Sequence, residues 1–291
     1  MSKRHASARI ARSTGSPGAG SSPVGTSGRP APRSSPGAAR PRIRGNPTRC
    51  VRTDGTSTGG RARVSVIVPA LDEERDLPLL LASLAESGPD RPDEVLLVDG
   101  GSTDRTRELA LEQGARVLSA PPGRGTQLAF GAREARGEVF VFLHADTRLR
   151  PGAMGAIRSA FADPALAYAG LRQRIDHPRP IFRAIERAAN ARARRGMIYG
   201  DSGLCVRSEV YFQVGGFREI PLFEDVDLSR RLARQHRVGW VGDAELLVSA
   251  RRWEREGVVR CTARNWTLAM LFRAGVAPER LVRYYRVASS R

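Results

Sequence analysis

The chain is predicted to be an α/β protein in which helices flank a mostly parallel, Rossmann-like sheet. Short β-branched runs alternate with helical segments between residues 64 and 143. The run at 139–143 is apolar throughout, which is typical of a strand buried on both faces. Strands and helices that alternate in this way form parallel sheets with right-handed crossovers. We therefore expect a single α/β domain.

The expected elements of the first half follow one another with short connections. Strands are expected at 64–68, 94–98, 115–118 and 139–143, and helices are expected to begin at the acids 72–74 and near 107 and 126. The apolar face of the first helix is expected to consist of Leu77, Leu80, Leu81 and Leu84. Ser102 or Thr103 is expected to cap the second helix, because a hydroxyl there can accept a hydrogen bond from a free amide.

The pattern becomes less regular after residue 150. Helices are expected at 151–161, 181–195 and 224–234, and strands at 166–175, 204–206 and 246–250. A late helix carries an apolar stripe typical of a core face, which consists of Trp266, Leu268, Leu271 and Phe272. The sequence shows no internal repeat.

The first 63 residues differ in composition from the rest. They are rich in Arg, Ser, Gly and Pro, and they hold 13 Lys+Arg and one acid, a net charge of 13 − 1 = +12. The whole chain carries +18, so residues 64–291 carry 18 − 12 = +6. With few large apolar residues to bury, residues 1–63 are predicted to be a disordered basic tail. This tail either binds an anionic partner or has no function, for example as a mis-assigned start.

Cysteine usage and hydropathy indicate the cellular compartment in which the protein is expected. Cys50, Cys205 and Cys261 lie far apart without metal-binding spacing, which suits a reducing environment. No apolar run approaches the ~20 residues of a membrane span, and the N-terminus lacks the apolar centre of a secretory signal. We expect a cytoplasmic protein, either free or peripheral at the inner face of the cell membrane.

Two of the expected strands end in a carboxylate. Asp99 follows the second strand and Asp146 follows the fourth. Open α/β sheets bind ligands at the carboxyl edge of their strands. Acids at that edge suit a cation or a sugar–phosphate ligand. For Asp146 alone, the alternative is a solvated residue at an ordinary strand end.

Four motifs resemble, in the correct order, those of the inverting family 2 glycosyltransferases. They are VIVPALDEE at 66–74, LVDGGSTD at 97–104, HAD at 144–146, where the family has Asp-x-Asp, and EDVDL at 224–228 after a Gly-Gly-Phe turn. The resemblance covers about residues 64–255. The motifs FLHADT at 142–147 and SARRWE at 249–254 resemble sequences of the subgroup associated with radical-SAM and selenium domains. Some members of that subgroup are labelled glycosyltransferases of carotenoid acids.

The resemblance implies a GT-A fold, a nucleotide-diphospho-sugar donor and a Mn²⁺ or Mg²⁺ ion. It implies that Asp146 holds the cation and that Asp225, or as second choice Glu224, deprotonates the acceptor. The residues implied to contact the donor are Pro69, Leu71, Glu73, Asp99, Arg124, Arg252 and Trp253. It also implies a division of the domain, in which 64–150 binds the nucleotide sugar and 151–291 binds the acceptor and supplies the base.

Several of these positions have other interpretations. His144 replaces the first Asp of Asp-x-Asp, and it is either a ligand, which suits Mn²⁺ better than Mg²⁺, or a supporting residue. Acids such as Glu224 and Asp225 are also favoured by the dipole at the start of any helix. Arg124 can be a solvated side chain, and Asp201 either touches the acceptor or only forms a turn.

The expected reaction is sugar transfer to a hydroxyl or carboxylate of a small-molecule or lipid acceptor, such as a carotenoid acid. Ser249 stands where the family has the Gln of Gln-x-x-Arg-Trp, which argues against processive synthesis. A nucleotidyltransferase is disfavoured, because residues 69–74 are not the Gly-rich basic loop of that class. A non-catalytic protein that binds a nucleotide sugar or an anionic surface is the main alternative, and no specific nucleic acid partner is expected.

Overall fold

The computed structural model describes residues 49–50 and 61–285, and the statements below refer to these residues. The strands are β1 (Arg49–Cys50), β2 (Val64–Ala70), β3 (Glu94–Asp99), β4 (Arg116–Ser119), β5 (Val139–Phe142), β6 (Thr147–Leu149), β7 (Tyr168–Ile175), β8 (Leu204–Arg207) and β9 (Val238–Val248). The helices are α1 (Leu77–Ala85), α2 (Thr106–Glu112), α3 (Arg124–Glu134), α4 (Ala153–Phe161), α5 (Pro180–Ala193), α6 (Ser208–Gln213), α7 (Glu224–Gln235), α8 (Arg251–Glu256), α9 (Val258–Arg273) and α10 (Pro278–Tyr285).

These strands form one mixed sheet in the order β1-β9-β7-β8-β5-β2-β3-β4, with β6 paired to β9. Its first half is parallel, because β2 pairs in parallel with both β3 and β5. The chain runs from β2 through β3 to β4 on one side and then crosses to β5 on the other. The sheet therefore has a topological switch point between β2 and β5, which is where open α/β sheets bind ligands.

The central strands are apolar because both of their faces are covered. All seven residues of β2 are buried, as are the four of β5. On one face, α1 buries four of its five leucines, the predicted Leu77, Leu80, Leu81 and Leu84. On the other, α3 lies so close to the sheet that a Cβ on Gly131 would come within 2.6 Å of Ile67 and 2.7 Å of Val98. A glycine is needed there despite its low helix propensity.

The sequence-based predictions hold best for the first half. Strands β2 to β5 and helices α1 to α3 lie within a few residues of their predicted positions. Strand β6 and helix α6 were not predicted, and β9 begins eight residues before the predicted strand at 246–250. The predicted cap of α2 is wrong. Ser102 Oγ instead accepts a hydrogen bond from the Asp72 amide, and Asp104 accepts bonds from Thr106.

The predicted tail of residues 1–63 lies outside the described residues, except for 49–50 and 61–63. Within it, Arg49–Cys50 pairs in parallel with Gly239 and Trp240 of β9, a pairing that the composition did not predict. None of the helices between residues 61 and 285 is both long and apolar enough to cross a bilayer.

Candidate active site

A cavity of about 190 Å³ lies beyond the carboxyl edge of the sheet, next to the switch point. The segment after β5 contributes His144 and Asp146, and the start of α7 contributes Glu224 and Asp225. Four further elements, α3, α5, α8 and α9, complete the wall, together with Tyr285 at the end of α10. The cavity therefore brings together the two motifs that the sequence singled out, although 77 residues, 147–223, separate Asp146 from Glu224.

 The residues between the two motifs, 147–223, contribute to the wall through α5 and the turn at Gly200–Ser202.

Asp225 is the carboxylate that faces this cavity from α7. Its Oδ2 accepts a hydrogen bond of 2.6 Å from the Gly200 amide, and its Oδ1 accepts one of 2.6 Å from the Val226 amide. Burial is the main cause that raises the pKa of Asp225 to about 6, and the neighbouring Glu224 adds to the increase. A carboxylate with a pKa in this range can accept a proton near neutral pH.

Glu224 points to a different partner. Its side chain is 4% exposed, and its Oε1 lies 3.4 Å from Nε of Arg124 at the start of α3. This ion pair is the main cause that raises the pKa of Arg124. A Cβ on Gly125 would come within 2.4 Å of the Arg218 carbonyl oxygen, so a glycine permits α3 to approach the loop before α7. Arg124 is therefore held at the cavity and is not a freely solvated side chain.

The residue before these two acids is strained. Phe223 has a φ of 65°, in the left-handed region that a side chain with a Cβ rarely adopts. Its ring stacks on Phe272 of α9, with centroids 5.2 Å apart. The stacking holds the bend at which α7 begins, and this bend directs Glu224 and Asp225 towards the cavity.

Asp146 belongs to a second group of acids, which also contains Glu73 and Asp76. Burial is the main cause that raises the pKa of Asp146, and the charge of Asp76 adds to it. Burial, followed by the charge of Asp146, raises the pKa of Glu73 to about 7. Arg251 lies 2.6 Å from Asp76 Oδ2 and 3.8 Å from Glu73 Oε2. Three acids and one arginine leave this group of side chains, of which Asp146 lines the cavity, with an excess of negative charge.

His144 lies between the two sets of acids. A Cβ on Gly200 would come within 2.3 Å of His144 Nε2 and 3.4 Å of Asp225 Oδ2, so the imidazole and that carboxylate pack against the same glycine. Burial, and then the charge of Arg124, lowers the pKa of His144 to about 3. The imidazole is therefore neutral at physiological pH, which is the form that binds metals or accepts hydrogen bonds.

The predicted donor contacts divide into two groups. Arg124, Arg252 and Trp253 line the cavity, whereas Pro69, Leu71, Glu73 and Asp99 do not. The difference is clearest for Asp99, which is fully buried and accepts hydrogen bonds from the amides of Gly101 and Ser102. Its Oδ2 also pairs with Arg107 at 3.3 Å. The carboxylate of Asp99 is thus occupied by its own loop.

Several cavity residues lie outside the motifs that the sequence singled out. Arg192 stacks on the Tyr199 ring, with Cζ 3.7 Å from the ring centroid, and lies 3.1 Å from Asp201 Oδ1. Tyr285 accepts a hydrogen bond from Arg252. No sequence signal connects Arg192 or Tyr285 with the two motifs. Asp201, which had two interpretations, lines the cavity while paired to Arg192.

The residues of this site fit a hard cation only in part. In the described residues, no group of three or more His, Cys, Asp or Glu side chains forms a ready metal site. Glu73 Oε2 is buried without a hydrogen-bond partner, and burial together with neighbouring acids raises the pKa of Glu73 and of Asp146 despite the nearby Arg251. A divalent cation bound by one or two carboxylates and completed by phosphate oxygens suits this arrangement.

The fold and this site define the protein as an α/β protein of the GT-A type, with a ligand cavity at the carboxyl edge of its sheet. The sequence pattern of the family described as Glycosyl transferase family 2 matches residues 65–219, more than half of the chain. The chain therefore belongs to glycosyl transferase family 2. This confirms the family that the motifs indicated.

Individual relatives match over shorter stretches. Glucosyl-3-phosphoglycerate synthase of Mycolicibacterium paratuberculosis is 35% identical over 92 residues, 28% of this chain and 28% of that protein. The 4,4'-diaponeurosporenoate glycosyltransferase of Staphylococcus haemolyticus is 33% identical over 108 residues, 34% of this chain and 28% of that protein. The match to these curated relatives thus spans just over a quarter of their length.

Solved structures share the fold. The mannosyltransferase PcManGT from Pyrobaculum calidifontis, in complex with GDP-Man and Mn²⁺, superimposes with a TM-score of 0.54 at 22% sequence identity. The superposition covers 75% of this chain and 66% of that chain. At this identity the likeness establishes the fold, and it confirms the predicted sheet with flanking helices.

Proposed function

We propose that this protein transfers a sugar from a nucleotide-diphospho-sugar to an acceptor, with inversion at the transferred carbon and with the help of a divalent cation. The observation that carries the proposal is the shared cavity: Asp146 and Asp225, with raised pKa values, line the same space. Inverting transfer needs a cation on the leaving-group side and a base on the acceptor side. The family membership and the fold support this assignment.

Asp225 is the proposed base. A base must be able to take up a proton and must be reachable by the acceptor, and Asp225 meets both conditions because its pKa is about 6 and it lines the cavity. Glu224, the second choice, also lines the cavity, but it is held by Arg124 in an ion pair and its side chain is only 4% exposed. Its proposed role is to fix Arg124. The amides of Gly200 and Val226 hold the Asp225 carboxylate in one orientation.

Asp146 is the proposed carboxylate ligand of Mn²⁺ or Mg²⁺, with neutral His144 as a further ligand or a support for it. A bound cation would neutralise charge that develops on the diphosphate as it leaves. The Mn²⁺ in the PcManGT complex supports a cation of this kind. A nitrogen ligand at His144 would favour Mn²⁺ over Mg²⁺.

The proposed donor site extends from the cavity along the carboxyl edge of β2 and β3. Arg124 and Arg252 are the proposed partners of the diphosphate, since guanidinium groups bind phosphate oxygens in pairs. Trp253 forms the wall beside them. The residues proposed to face the nucleoside lie towards β3 and are Pro69, Leu71, Glu73 and Asp99. Asp99 contributes by holding the loop of Gly101 and Ser102. In this proposal residues 64–150 serve the donor, and residues 151–291 serve the acceptor and supply the base.

The acceptor side of the cavity has an apolar wall. Ile185, Ala189, Leu222 and Trp266 line it, and Trp266 is also 54% exposed. This wall supports an acceptor with an apolar body, whose hydroxyl or carboxylate reaches Asp225. The name of the S. haemolyticus relative, a diaponeurosporenoate glycosyltransferase, supports a carotenoid acid or a similar lipid, as does the wording shared with the radical-SAM-associated subgroup.

Peripheral contact with an anionic membrane is proposed with this acceptor class. Helix α9 exposes Val259, Trp266 and Met270, and Arg260 and Arg273 lie on the exposed surface of the same helix. Apolar and basic side chains together favour the surface of an anionic bilayer. Sedimentation with vesicles of phosphatidylglycerol should decrease at high salt and in the Trp266→Ser variant.

A thermal-shift screen of UDP-, GDP- and dTDP-sugars with Mn²⁺ or Mg²⁺ tests the function. One donor should raise the melting temperature by mass action, and nucleoside diphosphate should then be released slowly from it. Asp146→Asn and Asp225→Asn should stop this release, whereas Asp243→Asn, an exposed control on β9, should not. Binding without any release by the wild type, even with membrane lipid as acceptor, would favour the non-catalytic alternative.

A further inference from the structure

Tyr285, at the end of α10, contacts the two arginines that face the proposed donor site. Arg252 Nη1 donates a hydrogen bond to its hydroxyl, and the Arg252 guanidinium carbon lies 4.3 Å from the centroid of its ring. The hydroxyl also interacts with Arg124. A neutral phenol oxygen therefore stands among cations where a phosphate oxygen would be expected.

Helix α10 is attached to the rest of the protein by a small apolar cluster. Leu281, which is 2% exposed, packs with Leu222 and Leu268, and Phe223 and Phe272 border this cluster. Phe223 directly precedes the two acids of α7. A displacement of α10 would thus change the contacts of the two arginines and the packing of the strained bend before Asp225.

We propose that Tyr285 gates the donor site: its hydroxyl occupies the place of a diphosphate oxygen, and α10 moves away when a diphosphate binds. This inference rests on the proposed function, because it takes Arg124 and Arg252 as the ligands of the diphosphate. A phosphate group carries a charge opposite to that of a guanidinium and can accept two parallel hydrogen bonds from it, whereas the phenol hydroxyl is a single uncharged acceptor. The exchange is therefore favourable, but the closed state lowers the apparent affinity for the donor.

The Tyr285→Phe variant isolates the hydroxyl, because it keeps the ring over Arg252. The probe is inorganic pyrophosphate, which all such donors contain in esterified form, titrated calorimetrically with and without Mg²⁺. We expect the variant to bind pyrophosphate about three- to tenfold more tightly than the wild type, since two hydrogen bonds no longer compete. The matched control, Tyr284→Phe, changes a neighbouring exposed tyrosine and should bind like the wild type.

Tyr285→Ala, which also removes the ring, should bind pyrophosphate at least as tightly as Tyr285→Phe. Circular dichroism melting establishes that each variant is folded. Equal or weaker binding by both Tyr285 variants would overturn the gate, because it would mean that Tyr285 supports the arginines and does not compete with the ligand.

Limited proteolysis reports the movement of α10 itself. Arg280 and Arg283 are exposed trypsin sites on this helix, and helical sites are cut slowly unless the helix opens. Pyrophosphate should accelerate cleavage at these two arginines in the wild type. Slower cleavage would contradict the proposal, since it would show that α10 closes over the ligand.

The outcomes separate the gate from the function. If the wild type and both Tyr285 variants bind pyrophosphate equally, the gate is wrong and the donor site stands. If none of them binds pyrophosphate, UDP or GDP, the donor site and the gate are both wrong.

Discussion

Asp99 and Asp146 both lie at the carboxyl edge of the parallel half of the sheet but differ in their surroundings. Asp99, the last residue of β3, accepts hydrogen bonds from two amides of its own loop and pairs with Arg107. Asp146, after β5, lies among acids, and burial and the charge of Asp76 raise its pKa. The first carboxylate stabilises a loop. The second carries a charge that burial and Asp76 disfavour and that Arg124 and Arg251 compensate only in part.

This difference shows that position at the carboxyl edge of a sheet is not sufficient for a role in chemistry. The partners of the carboxylate decide whether its charge is available. The same contrast recurs in adjacent residues of α7, where Glu224 is paired with Arg124 and Asp225 faces the cavity. The following substitutions test whether occupied and available acids behave differently.

The largest effect is expected for Asp225→Asn. Loss of a general base typically costs about 10²- to 10⁴-fold, and we expect the release of nucleoside diphosphate to fall by this amount. The melting temperature should change by only a few degrees. Removing a buried charge is favourable, but the new amide NH₂ would face the N–H of Gly200 or Val226, and the two effects are each about 1–3 kcal/mol.

Asp243→Asn provides the control for this variant, because Asp243 is exposed on β9. Full activity in Asp225→Asn would show that another group takes the proton. Equal losses of activity in Asp225→Asn and Asp243→Asn would indicate an artefact of the assay.

Asp146→Asn should reduce the rate by about 10²-fold or more, because loss of the cation removes several kcal/mol of charge stabilisation. Its melting temperature in the absence of metal should be unchanged or higher, since the charged form of Asp146 is disfavoured by burial. Differential scanning fluorimetry with and without Mn²⁺ measures both aspects. A large drop in stability without metal would mean that Asp146, like Asp99, mainly holds its loop.

The rate should depend on the protonation of Asp225. Its pKa is raised to about 6, and only the deprotonated carboxylate acts as a base, so kcat/KM should fall about tenfold per pH unit below pH 6. The stability of the fold depends on pH in the opposite direction. A raised pKa means that the fold favours the protonated acid, and this stabilisation is lost as the pH rises through about 6. A rate that stays constant between pH 5 and pH 7 would contradict the assignment of the base.

The smallest effect on activity is expected for Asp99→Asn. This change should lower the melting temperature by several degrees, because the loop of Gly101 and Ser102 loses a buried acceptor, at a cost of about 1–3 kcal/mol. Activity measured well below the melting point should change less than tenfold. A rate loss as large as that of Asp146→Asn, with no loss of stability, would show that Asp99 acts on the donor directly.

The sequence predicted the alternating half of the fold and the main acids of the cavity because these depend on local signals. Apolar runs fix β2 and β5, and the acids of α7 follow a recognisable motif. Tertiary contacts could not be predicted in this way. The amides that occupy Asp99 and the approach of Tyr285 to Arg252 depend on how distant segments meet.

The most direct test of the division of roles is electron paramagnetic resonance of Mn²⁺ titrated into the protein with the nucleoside diphosphate identified by the screen. Asp225→Asn should bind Mn²⁺ as the wild type does, whereas Asp146→Asn should bind it at least tenfold more weakly. Equal binding by the wild type and both variants would contradict the account, because the cation would then lie elsewhere.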